Sequence, residues 1–84
     1  MNKAHRKTLE AIFSHPTPAA LEWRTIEALF LALGAELIEG GGSRVAFVLK
    51  GEKAFFHRPH PGKEAKRYQV LAAREFLSKA GYKP

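Results

Sequence analysis

Gly34-Ala35-Glu36-Leu37-Ile38-Glu39-Gly40-Gly41-Gly42-Ser43-Arg44-Val45-Ala46-Phe47-Val48-Leu49-Lys50-Gly51-Glu52-Lys53-Ala54-Phe55-Phe56-His57 is where the apolar period changes from helical to alternating, and that change decides the fold. Residues 35–39 read as a strand and Gly40-Gly41-Gly42-Ser43 as the turn that ends it. In residues 44–50, Val45, Phe47 and Leu49 fall on one face and Arg44, Ala46, Val48 and Lys50 on the other. Gly51-Glu52 has the Gly-X composition of a tight two-residue hairpin connection, and residues 53–57 return as a third strand. Phe55 and Phe56 must then point to opposite faces, so one ring is exposed or meets a partner.

Upstream, Leu9, Ile12 and Phe13 fall at helical spacing, which predicts a short amphipathic helix over residues 3–13. Ser14-His15-Pro16-Thr17-Pro18 breaks it, because proline cannot continue the hydrogen-bond ladder. Trp23, Ile26, Leu29, Phe30 and Leu33 form the apolar stripe of a second helix, with Gly34 as its stop. Downstream, Val70, Ala73, Leu77 and Ala80, broadened by Phe76, predict a last helix over residues 66–80, closed by Gly81. The sequence therefore predicts an α+β fold: a three-stranded antiparallel sheet with helices packed on one face, the other face being left for binding.

With 84 residues, 45% of them hydrophobic, the chain makes a single domain with one modest core. Residues 1–20 read as a helix and a proline-containing linker, and 22–82 as the core of the domain. No apolar run approaches the ~20 residues of a membrane span, which makes the expected protein soluble and cytoplasmic with no membrane partner. Without cysteine there is no disulfide, thiolate nucleophile or Cys-ligated zinc. The charge is uneven. Residues 1–43 carry four Lys and Arg against five Glu, a net of −1, whereas residues 44–84 carry ten against three, a net of +7. A basic field concentrated in one half attracts polyanions, and nucleic acid is the commonest of these.

That half contains Phe56-His57-Arg58-Pro59-His60-Pro61-Gly62-Lys63-Glu64, two histidines among prolines and cations. An imidazole titrates near neutral pH, so one held beside Arg58 and Lys63 resembles a small phosphate-handling site. Lys63, Lys66 and Arg67 crowd the start of the last helix, where the dipole is already positive and a bound anion would offset the repulsion. Arg44, leaving the glycine turn, is a further phosphate contact. The glycines are not a P-loop, since they join strand to strand and no Gly-Lys-Ser/Thr follows. His57 and His60 lack a third metal ligand, and a Ser-His-Asp triad is excluded because the chain has no aspartate. Neither a metal nor a small-molecule cofactor is expected. Trp23 reads as core or as a platform for a base.

The order of these motifs resembles the HicA family of toxin ribonucleases: a helix ending in Leu33-Gly34, Gly42-Ser43 in the hairpin, and Pro59-His60-Pro61-Gly62-Lys63-Glu64 before a helix ending in Ala80-Gly81. The resemblance covers about residues 22–82. It implies a topology like the double-stranded-RNA-binding domain, helix-strand-strand-strand-helix, to which the helix at 3–13 is an addition. It also implies an mRNA interferase silenced by a HicB-type antitoxin, with RNA as substrate and the family's catalytic histidine at His60. Many members have histidine after the Gly-Ser pair; here Arg44 stands there, which moves that position toward phosphate binding. His57 lies outside the minimal motif and is the leading choice for the second proton-transfer group. The rival reading is a non-catalytic RNA-binding module of the same fold.

Overall fold

Helices α1 (Lys3–Ile12) and α2 (Trp23–Ala32), strands β1 (Glu36–Glu39), β2 (Arg44–Leu49) and β3 (Glu52–His57), and helix α3 (Arg67–Lys79) follow one another in the computed structural model, which describes residues 1–84. The strands form one antiparallel sheet in the order β1-β2-β3. The expected α+β architecture is therefore the observed one. Val45, Phe47, Leu49 and Phe56 point to the helical side and are buried, and Phe30 of α2 meets Phe47 and Phe76 edge-on at 4.9 and 5.0 Å. Such pairs add about 0.5–1.5 kcal/mol beyond the area they bury. Trp23 joins this cluster, its ring 5.0 Å from Phe56, so of its two readings the core is the correct one.

The α2 stop works as its composition predicts. Gly34 adopts φ +97°, a conformation that a Cβ disfavours, and lets its own N–H reach Leu31 O while Ala35 N–H reaches Phe30 O, both at 3.0 Å. Because Ala35 donates to the helix, the β1 ladder begins one residue later than the alternation suggests. The end of α3 repeats the pattern, with Gly81 N–H on Ser78 O and Tyr82 N–H on Leu77 O.

The second hairpin corrects the sequence reading by one residue. Leu49 and Glu52 are paired, so the two-residue loop is Lys50-Gly51 rather than Gly51-Glu52, and β2 stops at Leu49. Lys50 has φ 51° and Gly51 φ 83°. Positive φ at both loop positions is the type I′ turn, whose twist matches the flanking strands; glycine serves its second position, and lysine tolerates the first.

On the outer face the cross-strand rows are Arg44 with His57, Ile38 with Ala46 and Phe55, and Glu36 with Val48 and Lys53. Phe56 is 5% exposed and Phe55 75%, so the outward ring is Phe55.

Candidate active site

His57 and Arg44 face each other across the end of the β2–β3 ladder, both exposed on the outer face of the sheet. Ser43 Oγ lies 3.5 Å from His57 Nδ1, at the outer limit of a hydrogen bond. Arg44 Nε is 3.4 Å from Gly41 O, and its terminal nitrogens make no bond within the protein. The glycine turn is built for this close fold-back. A Cβ on Gly40 would sit 3.0 Å from Arg44 Cβ and 3.1 Å from Arg44 O.

Arg58, one residue on, points the other way and is engaged. Its Nε and Nη2 nitrogens donate to the two carboxylate oxygens of Glu27 at 3.1 and 2.9 Å, and Nη1 and Nη2 donate to Glu39 at 3.0 and 3.3 Å. Glu27 also accepts from Trp23 Nε1 at 2.8 Å. Burial alone would raise the Glu27 carboxyl, but the hydrogen bonds from Arg58 and Trp23, with the charge of Arg58, outweigh it and hold the group below its ordinary range. The same bonds, to Glu27 first and Glu39 second, push the guanidinium further up. Arg58, read from sequence as a phosphate ligand, thus ties the exit of β3 to α2 and β1, with its donor fork facing carboxylates.

The His-Pro loop is braced at both ends. At its start Arg58 N–H donates to Ser43 O at 2.9 Å. At its end residues 63–65 run antiparallel to residues 21–23, with Trp23 N–H on Lys63 O at 2.9 Å and Ala65 N–H on Leu21 O at 2.8 Å. Gln69, 2% exposed, closes the base: its NH2 donates to His57 O at 2.6 Å and its carbonyl accepts from Lys66 N–H at 2.9 Å. Between these anchors His60 is exposed, and its ring makes no hydrogen bond within the protein. Lys63, Lys66 and Arg67 are exposed and form no ion pair, and the first turn of α3 contains no acidic residue.

The structure thus groups Arg44 with His57, couples His57 through Gln69 to the Lys66-Arg67 helix start, and sends Arg58 elsewhere. Residues 23–82 match the family described as the HicA toxin of bacterial toxin–antitoxin systems. The chain belongs to the HicA toxin family. It is a toxin of a toxin–antitoxin system, and every candidate site residue lies inside the matched segment. No curated protein and no solved structure matches the chain. No helix is long and apolar enough to cross a membrane.

In this HicA chain α1 lies outside the matched residues, yet it is part of the core: Leu9 and Ile12 are buried, and Arg74 of α3 donates to Ile12 O at 2.8 Å and Ser14 O at 3.1 Å. Sequence reading missed Gln69 and the Glu27–Arg58–Glu39 clamp. Lys66-x-x-Gln69 carries a usable signal, since Gln at the third helical position commonly reaches back to the N-cap N–H. The clamp joins residues distant in sequence and has no local signature.

Proposed function

We propose that this HicA-family toxin is a metal-independent endoribonuclease, an mRNA interferase acting in the cytoplasm and neutralised by a HicB-type antitoxin. The reading rests chiefly on one observation: Arg44 and His57 share an exposed cross-strand row directly before the braced loop that carries His60. Two imidazoles and a guanidinium with no carboxylate partner suffice for phosphodiester transfer. The ribose 2′-oxygen attacks the adjacent phosphorus, forming the O2′–P bond, while the P–O5′ bond breaks. One imidazole takes the 2′-OH proton and the other, protonated, delivers a proton to the departing O5′. His60 and His57 divide these roles, and the products are a 2′,3′-cyclic phosphate and a 5′-hydroxyl. Arg44 stabilises charge on the phosphoryl oxygens, and Lys63, Lys66 and Arg67 hold flanking phosphates.

Arg58 has no ligand role in this scheme, since its donors face Glu27 and Glu39. Instead it fixes the start of the loop from which His60 projects. The antitoxin is expected to cover the same basic surface, so Lys63→Glu weakens RNA and antitoxin binding together.

The direct test is cleavage of RNA in EDTA by the wild type, His60→Ala and His57→Ala, with binding measured on a non-cleavable 2′-O-methyl analogue. Each alanine variant is expected to lower kcat by about 10²–10⁴ with binding nearly unchanged. Full activity in His60→Ala would remove His60 from the mechanism, and full activity in both would refute the mechanism. RNA binding without cleavage by the wild type would leave a non-catalytic RNA-binding module.

A further inference from the structure

We propose that the outer face of the sheet carries a nucleobase-stacking site centred on Phe55, which receives one unpaired base of a single-stranded RNA and places the neighbouring phosphate beside Arg44 and His57. The proposal rests on the ribonuclease reading and deepens it by naming how the substrate strand is held.

Phe55 differs from every other phenylalanine of the chain: Phe30, Phe47, Phe56 and Phe76 are buried, Phe13 is half-buried, and Phe55 stands in the middle of β3 with three-quarters of its surface in water. The row it belongs to is concave. Ile38 on β1 and Phe55 on β3 flank Ala46 on the central strand, and Ala46 is only 4% exposed although it points outward. A small residue between two large ones makes a floor between walls. The resulting cavity of about 290 Å³ is bordered by Ile38, Arg44, Ala46, Lys53, Phe55 and His57. That is near the low end of the ~300–1,000 Å³ typical of small-ligand sites, room for one nucleoside-sized group.

Charge selects the occupant. Lys53 Nζ lies over one face of the Phe55 ring, 5.2 Å from its centroid, which leaves the other face for a base, and Arg44 and His57 form the next row toward the glycine turn. Side chains two apart on a strand are separated by about 6.7 Å, so a base on Phe55 leaves its adjacent phosphate within reach of the Arg44–His57 row. Glu39 also borders the cavity, but Arg58 holds its carboxylate. A second depression that also touches Phe55 is bordered by Glu52 and Glu75 together with Lys53 and Lys79, so it carries no net positive charge to draw a phosphate. Glu36, in the row with Lys53, limits the basic surface on that side. An aromatic wall between cations, open to solvent, is how proteins hold single-stranded RNA without strict sequence choice.

The test uses a labelled single-stranded 2′-O-methyl RNA of about ten nucleotides, within the ~4–16 nucleotides of known single-strand sites. Its affinity is measured for wild type and for Phe55→Ala, Phe55→Leu, Phe55→Tyr and Phe55→Trp, all at an exposed position that the core does not need. Loss of stacking predicts about tenfold weaker binding for Ala and Leu, with Tyr and Trp near wild type, and a parallel fall in kcat/KM on cleavable RNA. The affinity of an otherwise identical RNA duplex should not depend on Phe55. Equal affinity of Phe55→Ala and wild type for the single strand overturns the stacking site while leaving the ribonuclease reading intact. If, in addition, sedimentation shows that the alanine variant has lost a wild-type dimer, the face belongs to a second copy of the chain. A wild type that neither binds nor cleaves RNA refutes the ribonuclease reading itself, and the stacking site with it.

Discussion

Replacing Arg58 by alanine separates its structural role from the phosphate-binding role that its position in the sequence suggests. The substitution removes two bidentate pairs of unequal worth. The Glu39 side chain is 60% exposed, so its pair is screened and contributes about 0.2–1 kcal/mol. The Glu27 side chain is only 18% exposed, and after the change its carboxylate keeps a single donor, the Trp23 indole. Hydrogen bonds to charged groups contribute about 1.5–3 kcal/mol, which brings the total to about 2–4 kcal/mol. In a domain of this size that lowers Tm by about 8–30 °C. Urea unfolding of wild type, Arg58→Ala, Glu27→Gln and the double variant gives the coupling directly. The pH dependence carries a sign. Glu27 has a lowered carboxyl pKa in the fold, so the pair contributes fully above the ordinary value of 4.5, and the contribution is lost as pH falls through the folded value. The gap between wild type and Arg58→Ala should therefore be full at neutral pH and shrink in acid. A cost below about 0.5 kcal/mol at pH 7 would refute the clamp as a stabilising device.

Two further substitutions probe the supports of the site. Gln69→Ala strips the partners from His57 O and Lys66 N–H and should cost about 2–3 kcal/mol by urea titration, whereas a solvated surface glutamine would cost almost nothing. Gly40→Ala forces a methyl against Arg44 Cβ and backbone O and should destabilise by about 1–3 kcal/mol; thermal melts within a degree of wild type would show that the turn relaxes freely.

What the sequence revealed follows from how local each signal is. The switch from helical to alternating period at Gly34 located the helix, the sheet and their boundary, because each depends on neighbours a few residues apart. The Phe55-Phe56 pair forced one ring outward on the same grounds. The Lys50-Gly51 turn was misplaced by one residue because composition fits both Gly-X and X-Gly loops, and only the pairing of Leu49 with Glu52 distinguishes them. The ion pairs of Arg58 were hidden for a different reason. Its carboxylate partners, Glu27 and Glu39, are 31 and 19 residues away, and the charge asymmetry that marked the basic half concealed an ion pair between the halves. The strand-like bridge of residues 63–65 with residues 21–23 was likewise invisible, since it pairs a loop with the segment leading into α2. His57 was visible as a histidine beside the loop, but its proximity to Arg44 and Ser43 depends on the register of β2 with β3.

Analysis of the RNA ends left by the purified wild-type protein tests the central proposal most directly. Attack by the ribose 2′-oxygen through His60 and His57 predicts cleavage in excess EDTA that yields 2′,3′-cyclic phosphate and 5′-hydroxyl ends, with 2′-deoxy substitution at the scissile nucleotide blocking the cut. Ends bearing a 5′-phosphate, or cleavage abolished by EDTA and restored by one divalent ion, would contradict it.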